Sequence, residues 1–405
     1  MSFEEWKHLP LEDCMEAIID YRGKTPRKSS FGIPLITAKI VKGGRILEPT
    51  EFIPFEDYDE RMHRGIPKSG DVVITTEGPL GEIGRLDDRK LSIGQRLIAL
   101  RGKKGLLDNS YLKFLLMSDY VQNQLSARQT GTTVSGIKQA ELRKIDLLIP
   151  PIPTQRRIAE ILSALDDKIE LNRQTNATLE AIAQAIFKEW FVNFNFPGAT
   201  GELVESELGM IPKGWKVGSV ADILVLANET ISPGVNPDKL FNHYSIPAFD
   251  SGRIPSQEMG STILSNKYKV KSNSILVSKL NPRIPRIWTL KEVDQEISVC
   301  STEFQVLLPQ KAHYYSFAAN LFSKPSMIDT MKSRASGTSS SHQRINPQDI
   351  LDINIVVPTD DLLALYDKTV ENYFRCIING LEESMNLSKI RDSLLPKLMN
   401  EKIDV

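Results

Sequence analysis

Residues 154–193 read TQRRIAEILSALDDKIELNRQTNATLEAIAQAIFKEWFVN, a stretch with neither proline nor glycine. Ile158, Leu165, Asn172, Leu179 and Ile186 recur at a seven-residue step, and Leu162, Ile169, Asn176, Ala183 and Trp190 follow them by four. Such a repeat keeps one narrow stripe facing the same neighbour, as in helices paired lengthwise. At about 1.5 Å per residue the helix reaches about 58 Å, longer than most globular helices. The spacing predicts a spacer helix that needs a partner.

The C-terminus offers that partner. An offset of 208 carries Ile158 to Tyr366, Leu165 to Tyr373, Leu179 to Leu387 and Ile186 to Leu394. The second column follows, with Leu162 on Val370, Ile169 on Ile377 and Trp190 on Leu398. Asn172 and Asn176 fall on Gly380 and Ser384, so both helices are polar or small at the same place, and Arg391 against Ala183 is the one clear mismatch. Two ordinary amphipathic core helices would not share a register over five heptads, so a repeat is the better reading. Pro396 is expected to end or kink the second helix.

The globular parts repeat too. Strand-like runs at 71–76 and 96–100 precede one helix at about 110–127, a loop at 129–138 and a strand at 145–149. Runs at 274–279 and 304–308, a helix near 314–322, a loop at 336–341 and a strand at 353–357 return in the same order. Trp6 and Trp215 open the two copies. The expected organisation is a first mixed domain at 1–153, a helix at 154–195, a second domain at 196–358 and a helix at 359–405. The fold class is α+β, with an internal two-fold repeat and two long antiparallel helices forming a coiled coil.

Composition fits a protein of the aqueous phase. Of 405 residues 25% are charged and 41% hydrophobic. With no long apolar run and no basic-then-apolar leader, neither a membrane span nor a signal peptide is expected, and the chain is expected to be cytoplasmic. Cys14, Cys300 and Cys376 are expected to be reduced thiols. A net charge of −1 does not advertise nucleic-acid binding, yet it permits cations clustered on one face.

Catalytic motifs are missing. Histidines 8, 63, 243, 313 and 342 have no ligand spacing, so no metal is expected. Gly23-Lys24-Thr25 lacks the glycine a phosphate loop needs at position 18, where Ile18 stands. Gly78-Pro79-Leu80-Gly81-Glu82-Ile83-Gly84 has the wrong spacing for a dinucleotide turn. Asp87-Asp88-Arg89-Lys90 is a carboxylate pair of the kind common in solvated loops, and no Asn-Pro-Pro-aromatic tetrad ends a strand. No catalytic residue and no cofactor is therefore expected on this chain.

What remains is a pair of loop sets rich in groups that contact DNA. In the first copy they are Arg22, Lys24, Arg27, Lys28, Gln95, Arg96, Arg128, Thr130, Thr132, Thr133 and Lys138. In the second they are Lys279, Asn281, Arg283, Arg286, Arg334, Ser339, Ser340, His342, Gln343 and Arg344. Arg and Lys pair with guanine or phosphate, Asn and Gln with adenine, and hydroxyls with either. Such loops are commonly only solvated. Their recurrence in both copies favours the DNA reading.

The chain resembles the specificity subunit of Type I restriction-modification enzymes. Leu208-Gly209-Met210-Ile211-Pro212-Lys213-Gly214-Trp215-Lys216-Val217 is similar to that family's opening of a target-recognition domain. Ile149-Pro150-Pro151-Ile152-Pro153-Thr154-Gln155-Arg156-Arg157-Ile158 is similar to the run into its first spacer helix, and Gly131-Thr132-Thr133 and Ile137-Lys138-Gln139 also fit. The resemblance implies that each domain reads half of a split target on double-stranded DNA while the helices set the gap. It also implies two modification (methyltransferase) subunits carrying S-adenosylmethionine and restriction subunits using ATP. The second copy departs from the pattern, since Val357-Pro358-Thr359-Asp360-Asp361 lacks the Gln-Arg-Arg. A self-sufficient DNA-modifying enzyme and a coiled-coil scaffold are the alternatives; the aromatic group Phe187, Trp190, Phe191, Phe194 and Phe196 reads as core packing ahead of a docking surface.

Overall fold

The computed structural model describes residues 6–131, 135–336 and 343–399. The fold is α+β, and the chain forms two compact units, one of Met1–Ile169 with Asn386–Val405 and the other of Glu170–Met385. The boundary falls inside both long helices, Ile152–Phe191 and Asp360–Met399. Among the described residues no helix is long and apolar enough to cross a membrane.

The first unit centres on a four-stranded antiparallel sheet, ordered Met15–Asp20, Leu97–Gly102, Val72–Thr76, Leu80–Arg85. Its central strands are apolar on both faces because both faces are covered. Val72, Ile74, Ile98 and Leu100 meet the helices Asn109–Met117 and Asp119–Ala127, while Val73, Leu97 and Ala99 meet Leu35, Ile53 and Tyr58. The alternation is the two-residue period of a strand. A separate ribbon pairs Lys7–Pro10 with Asp146–Ile149.

The second unit repeats this sheet in the same order: Leu224–Leu226, Phe304–Pro309, Ser274–Ser278, Ile287–Leu290. Ile275, Val277 and Leu307 face helices Tyr315–Ser323 and Pro325–Ser333, and Leu276 and Val306 face Tyr244 and Trp288. Lys216–Ser219 pairs with Asn354–Val357 as the counterpart ribbon. Around this shared frame the copies diverge. The second adds a five-stranded sheet, and an exposed hairpin of Leu203–Ser206 with Gly209–Pro212.

Each unit takes the start of one long helix and the end of the other, and in each the two run antiparallel. In the first, Ile158, Ala159 and Leu162 share a core with Leu398 and Met399. In the second, Phe187 and Phe191 pack against Tyr366, whose hydroxyl donates to the Ala183 carbonyl at 3.2 Å. Phe191 lies 4.9 Å from the Phe317 ring, and Phe194 and Phe196 lie 5.5 and 5.3 Å from Trp215. The aromatic group is core packing.

Two local expectations are corrected. The helix expected over 110–127 breaks at Ser118, which is extended and whose hydroxyl donates to the Leu115 carbonyl. Lys324 breaks the matching helix in the second copy, where Pro325 disfavours helical backbone in the residue before it. Pro396 does not end its helix, which continues to Met399. A proline there removes one backbone hydrogen bond, and burial of Leu398 and Met399 in the first core holds the last turn.

The mismatch at Arg391 has a partner. Its guanidinium lies 2.9 Å from Asp166, which also holds Lys113 at 2.5 Å, all three side chains being largely buried. The equivalent positions in the second unit are Ala183, Phe374 and Ala319, and these line a cavity of about 240 Å³. One copy fills the junction between helix pair and domain with charge, the other with small groups and space. Removing one partner of a buried ion pair strands the rest without compensation. Asp166→Ala is expected to destabilise the chain by about 3–5 kcal/mol, whereas Lys113→Met/Asp166→Leu/Arg391→Met together recover most of that loss. Urea unfolding followed by tryptophan fluorescence measures both, and an equal loss in single and triple variants would refute the account.

A second check concerns the thiols. Cys14 and Cys300 are buried and Cys376 is exposed. Burial pushes the Cys14 thiol up to about 11 and the Cys300 thiol up to about 12. A thiol-specific chromogenic reagent is expected to titrate one cysteine in the native chain and all three in denaturant.

Candidate nucleic-acid interface

Antiparallel pairing brings one end of each four-stranded sheet together. In the first unit Asp20 pairs with Ile98 and Leu97 with Thr75, so the segments after Asp20, after Thr76 and before Leu97 meet. Arg22, Lys24, Gln95 and Arg96 therefore share one edge. Thr25 donates to Gln95 at 3.1 Å, and Arg22 donates to the Ile137 carbonyl at 3.1 Å.

That last bond ties in the loop that follows helix Asp119–Ala127. Its neck is closed by a reciprocal backbone pair between Thr130 and Gly136, at 2.8 and 2.9 Å, and Ile137 N–H donates to Thr76. Arg128 caps the preceding helix and Lys138 begins the next turn. Thr132 and Thr133 lie outside the described residues.

The second unit builds the same arrangement. Ser336 and Arg344 close their neck with two 2.9 Å backbone bonds, and Ile345 N–H donates to Lys279, just past the sheet strand Ser274–Ser278. Asn281 N–H donates to the Gln343 carbonyl at 2.7 Å. Arg334 caps its helix as Arg128 does and donates to Asp349 O at 2.8 Å. Ser339, Ser340 and His342 lie outside the described residues.

The cations divide into two groups. Arg27 is held by Asp57 at 2.9 Å and Glu56 at 2.8 Å, and Lys28 lies 2.8 Å from Glu51. Arg286 grips Asp250 with two 2.8 Å bonds. Arg96 pairs with Glu77 at 2.9 Å and Arg344 with Glu303 at 2.8 Å, one carboxylate beside each neck. Lys24, Arg128, Lys138, Lys279 and Arg283 form no ion pair among the described residues.

Some buried polar atoms without a hydrogen-bond partner lie at these edges, and others, such as those of His243 and Ser298, lie elsewhere. Among the described residues, Arg22 Nη2 and Thr76 Oγ1 are buried without a hydrogen-bond partner in the first copy, as are Asn281 Oδ1, Glu303 Oε2 and Gln305 Nε2 in the second. Buried polar groups normally find partners, so each of these is an exception to that rule.

Sequence reasoning missed the groups that hold these edges. Buried Arg61 donates to the Lys24 carbonyl at 3.1 Å, to Ser92 at 2.9 Å and to Ile93 O at 2.7 Å, and burial lowers its pKa from the usual arginine value. Arg64 donates to Arg22 O at 2.9 Å. Glu77, Glu303, Asn228 and Gln305 were also overlooked; Asn228 donates to Gln305 at 2.7 Å. A lone arginine or glutamate in a polar segment carries no periodic signal, so only the tertiary contact reveals its role.

Gln155, by contrast, shows what the first copy's Gln-Arg-Arg run does. Fully buried at the start of its helix, it accepts from Asp108 N–H at 2.9 Å and donates to the Leu106 and Pro150 carbonyls, both at 2.8 Å. The second copy uses Asp360 instead, which accepts from Lys311, Tyr314 and His313 at 2.9, 2.7 and 3.0 Å. Hydrogen bonds from Lys311, Tyr314 and His313 hold its carboxyl well below the usual range.

Residues 3–181 match the model of the Type I restriction modification DNA specificity domain. Over 98% of its length the chain is 27% identical to the Type I restriction enzyme MjaIX specificity subunit of Methanocaldococcus jannaschii, covering 93% of that protein. It is 23% identical to the HindI specificity subunit of Haemophilus influenzae, over 77% of this chain and 81% of that one. A solved Type I restriction-modification S subunit from M. genitalium shares the fold, with a TM-score of 0.53 at 15% identity, covering 97% of this chain and 96% of the other. The duplicated sheet, the helix pair and these similarities point the same way: along its length the chain is similar to the specificity subunits of Type I restriction-modification systems, and residues 3–181 match their DNA specificity domain.

Proposed function

We propose that this chain reads a split DNA target, one half at each sheet edge, and carries no catalytic centre of its own. The observation that supports this most directly is the recurrence of one arrangement: a closed-neck loop docked beside cations that form no ion pair among the described residues. The unpaired lysines and arginines suit phosphates, and the Gln, Asn, Ser and Thr groups suit base edges. A net charge near zero does not oppose this, because the cations are concentrated locally.

In this reading the long helices are the ruler and the docking frame. Two modification subunits bring S-adenosylmethionine and the methyl-transfer chemistry, and restriction subunits bring ATP hydrolysis and cleavage. Double-stranded DNA is the shared ligand, and the chain itself holds no cofactor.

The test is reconstitution with the modification subunit. The complex is expected to methylate one bipartite sequence in an adenosylmethionine-dependent way, read by long-read mapping of modified bases, and the chain alone is expected to transfer nothing. Methylation by the chain alone would overturn the reading. One heptad inserted into each long helix adds about 10 Å, and so lengthens the tolerated gap by about three base pairs without changing either half-site. In the same complex Lys279→Ala with Arg283→Ala is expected to weaken binding across sequences. The log–log salt slope should fall by about 0.9 per lost phosphate contact, and an unchanged slope removes both residues from the interface.

A further inference from the structure

Midway along the seam of the long helices, the second unit holds a polar layer. Asn172 and Asn176 are each 7% exposed. Asn172 Nδ2 donates to Glu383 at 2.8 Å, to Ser384 Oγ at 3.3 Å and to Gly380 O at 3.4 Å; Asn176 Nδ2 donates to Ile377 O at 3.1 Å. Ser384 Oγ in turn donates to Gly380 O at 2.7 Å. Gly380 packs directly against the other helix, since a Cβ there would sit 2.7 Å from Asn176 Oδ1.

The layer has the symmetry of the repeat. The 208-residue offset turns Asn172 into Gly380 and Asn176 into Ser384, so the contact of Asn172 with Ser384 and that of Asn176 with Gly380 exchange. Large amides stand on one helix and small residues on the other, and each asparagine fills the room its counterpart leaves. Moved by one turn, both amides would lose these partners, and a side chain, Ser384 or Cys376, would take the place of Gly380 opposite Asn176. An apolar seam alone penalises such a shift weakly, whereas a buried polar residue in it fixes one alignment at some cost in stability.

We propose that Asn172, Asn176, Gly380 and Ser384 form a register key that holds the two long helices in a single stagger. Resting on the ruler reading above, the key is what restricts the chain to one gap length between half-targets. These four are positioning residues, remote from any base contact.

The test compares three full-length chains. The first is the wild type and the second an apolar layer, Asn172→Leu/Asn176→Leu/Gly380→Ala/Ser384→Ala. The third exchanges the key between helices, Asn172→Gly/Asn176→Ser/Gly380→Asn/Ser384→Asn. Spin labels on cysteines introduced at the exposed positions Ala181 and Lys368, in a Cys376→Ser background, report the stagger by pulsed electron resonance. The wild type and the exchanged key are expected to give one distance, and the apolar layer a second population displaced by about 5 Å, one helical turn. In complex with the modification subunit, the apolar variant is expected to methylate targets whose gaps differ by one or two base pairs, at rates within about tenfold of one another, while the other two accept one gap. A folded apolar variant with a single distance and a single gap overturns the key. An exchanged key that splits into two distances overturns the claim that complementarity across the layer sets the stagger. Failure of the wild-type complex to methylate any bipartite target overturns the ruler reading instead, and the distances still decide the register.

Discussion

A helix with a one-seam apolar stripe is stable only while that stripe is covered, and the residues that cover it here lie about two hundred positions away in the chain. Everything else follows from meeting that condition twice. Each compact unit completes its core with the beginning of one long helix and the end of the other, so neither core closes until distant parts of the chain have met. Contacts so far apart in sequence make loop closure a large part of the folding barrier. The aromatic cluster around Phe191 and Tyr366, and the aliphatic one around Leu162 and Leu398, supply the burial that offsets it.

The copies show how much of a duplicated plan is obligatory. Sheet order, ribbon, broken helix pair and closed-neck loop are kept. The junctions between helix and domain are not. One start of a long helix is strapped by a buried glutamine and the other by a carboxylate among Lys311, His313 and Tyr314. One junction holds a charged triad and the other a cavity edged by alanines and Phe374. A buried charge network and a small-residue packing solve the same steric problem; in apolar periodicity the first shows only as the mismatch at Arg391, and the second not at all.

That contrast explains what was legible in the sequence. The long helices and the repeat could be read because seven-residue periodicity is imposed at every turn, and Val72–Thr76 and Ser274–Ser278 because sheets covered on both faces demand unbroken apolar runs. The break at Ser118 could not be read, because an extended serine inside a helical pattern looks like any helical serine until its carbonyl partner is known. Pro396 misled for the opposite reason: its local rule is strong, and packing of Leu398 and Met399 overrode it. At the sheet edges, composition named residues that the fold gathers at one end of each sheet. It could not separate Lys279 and Arg283, which are left without carboxylates, from Arg27, Lys28 and Arg286, which are not.

The necks of the two loops carry a consequence for how such a protein can change. Thr130 with Gly136, and Ser336 with Arg344, pinch each loop shut before its tip begins, and the second loop is two residues longer than the first with no difference in the pinch. Strain or disorder introduced beyond the pinch is thereby insulated from the sheet beneath. Necks of one form thus carry loops of two lengths, so small insertions and deletions between the closing residues need not renegotiate the core.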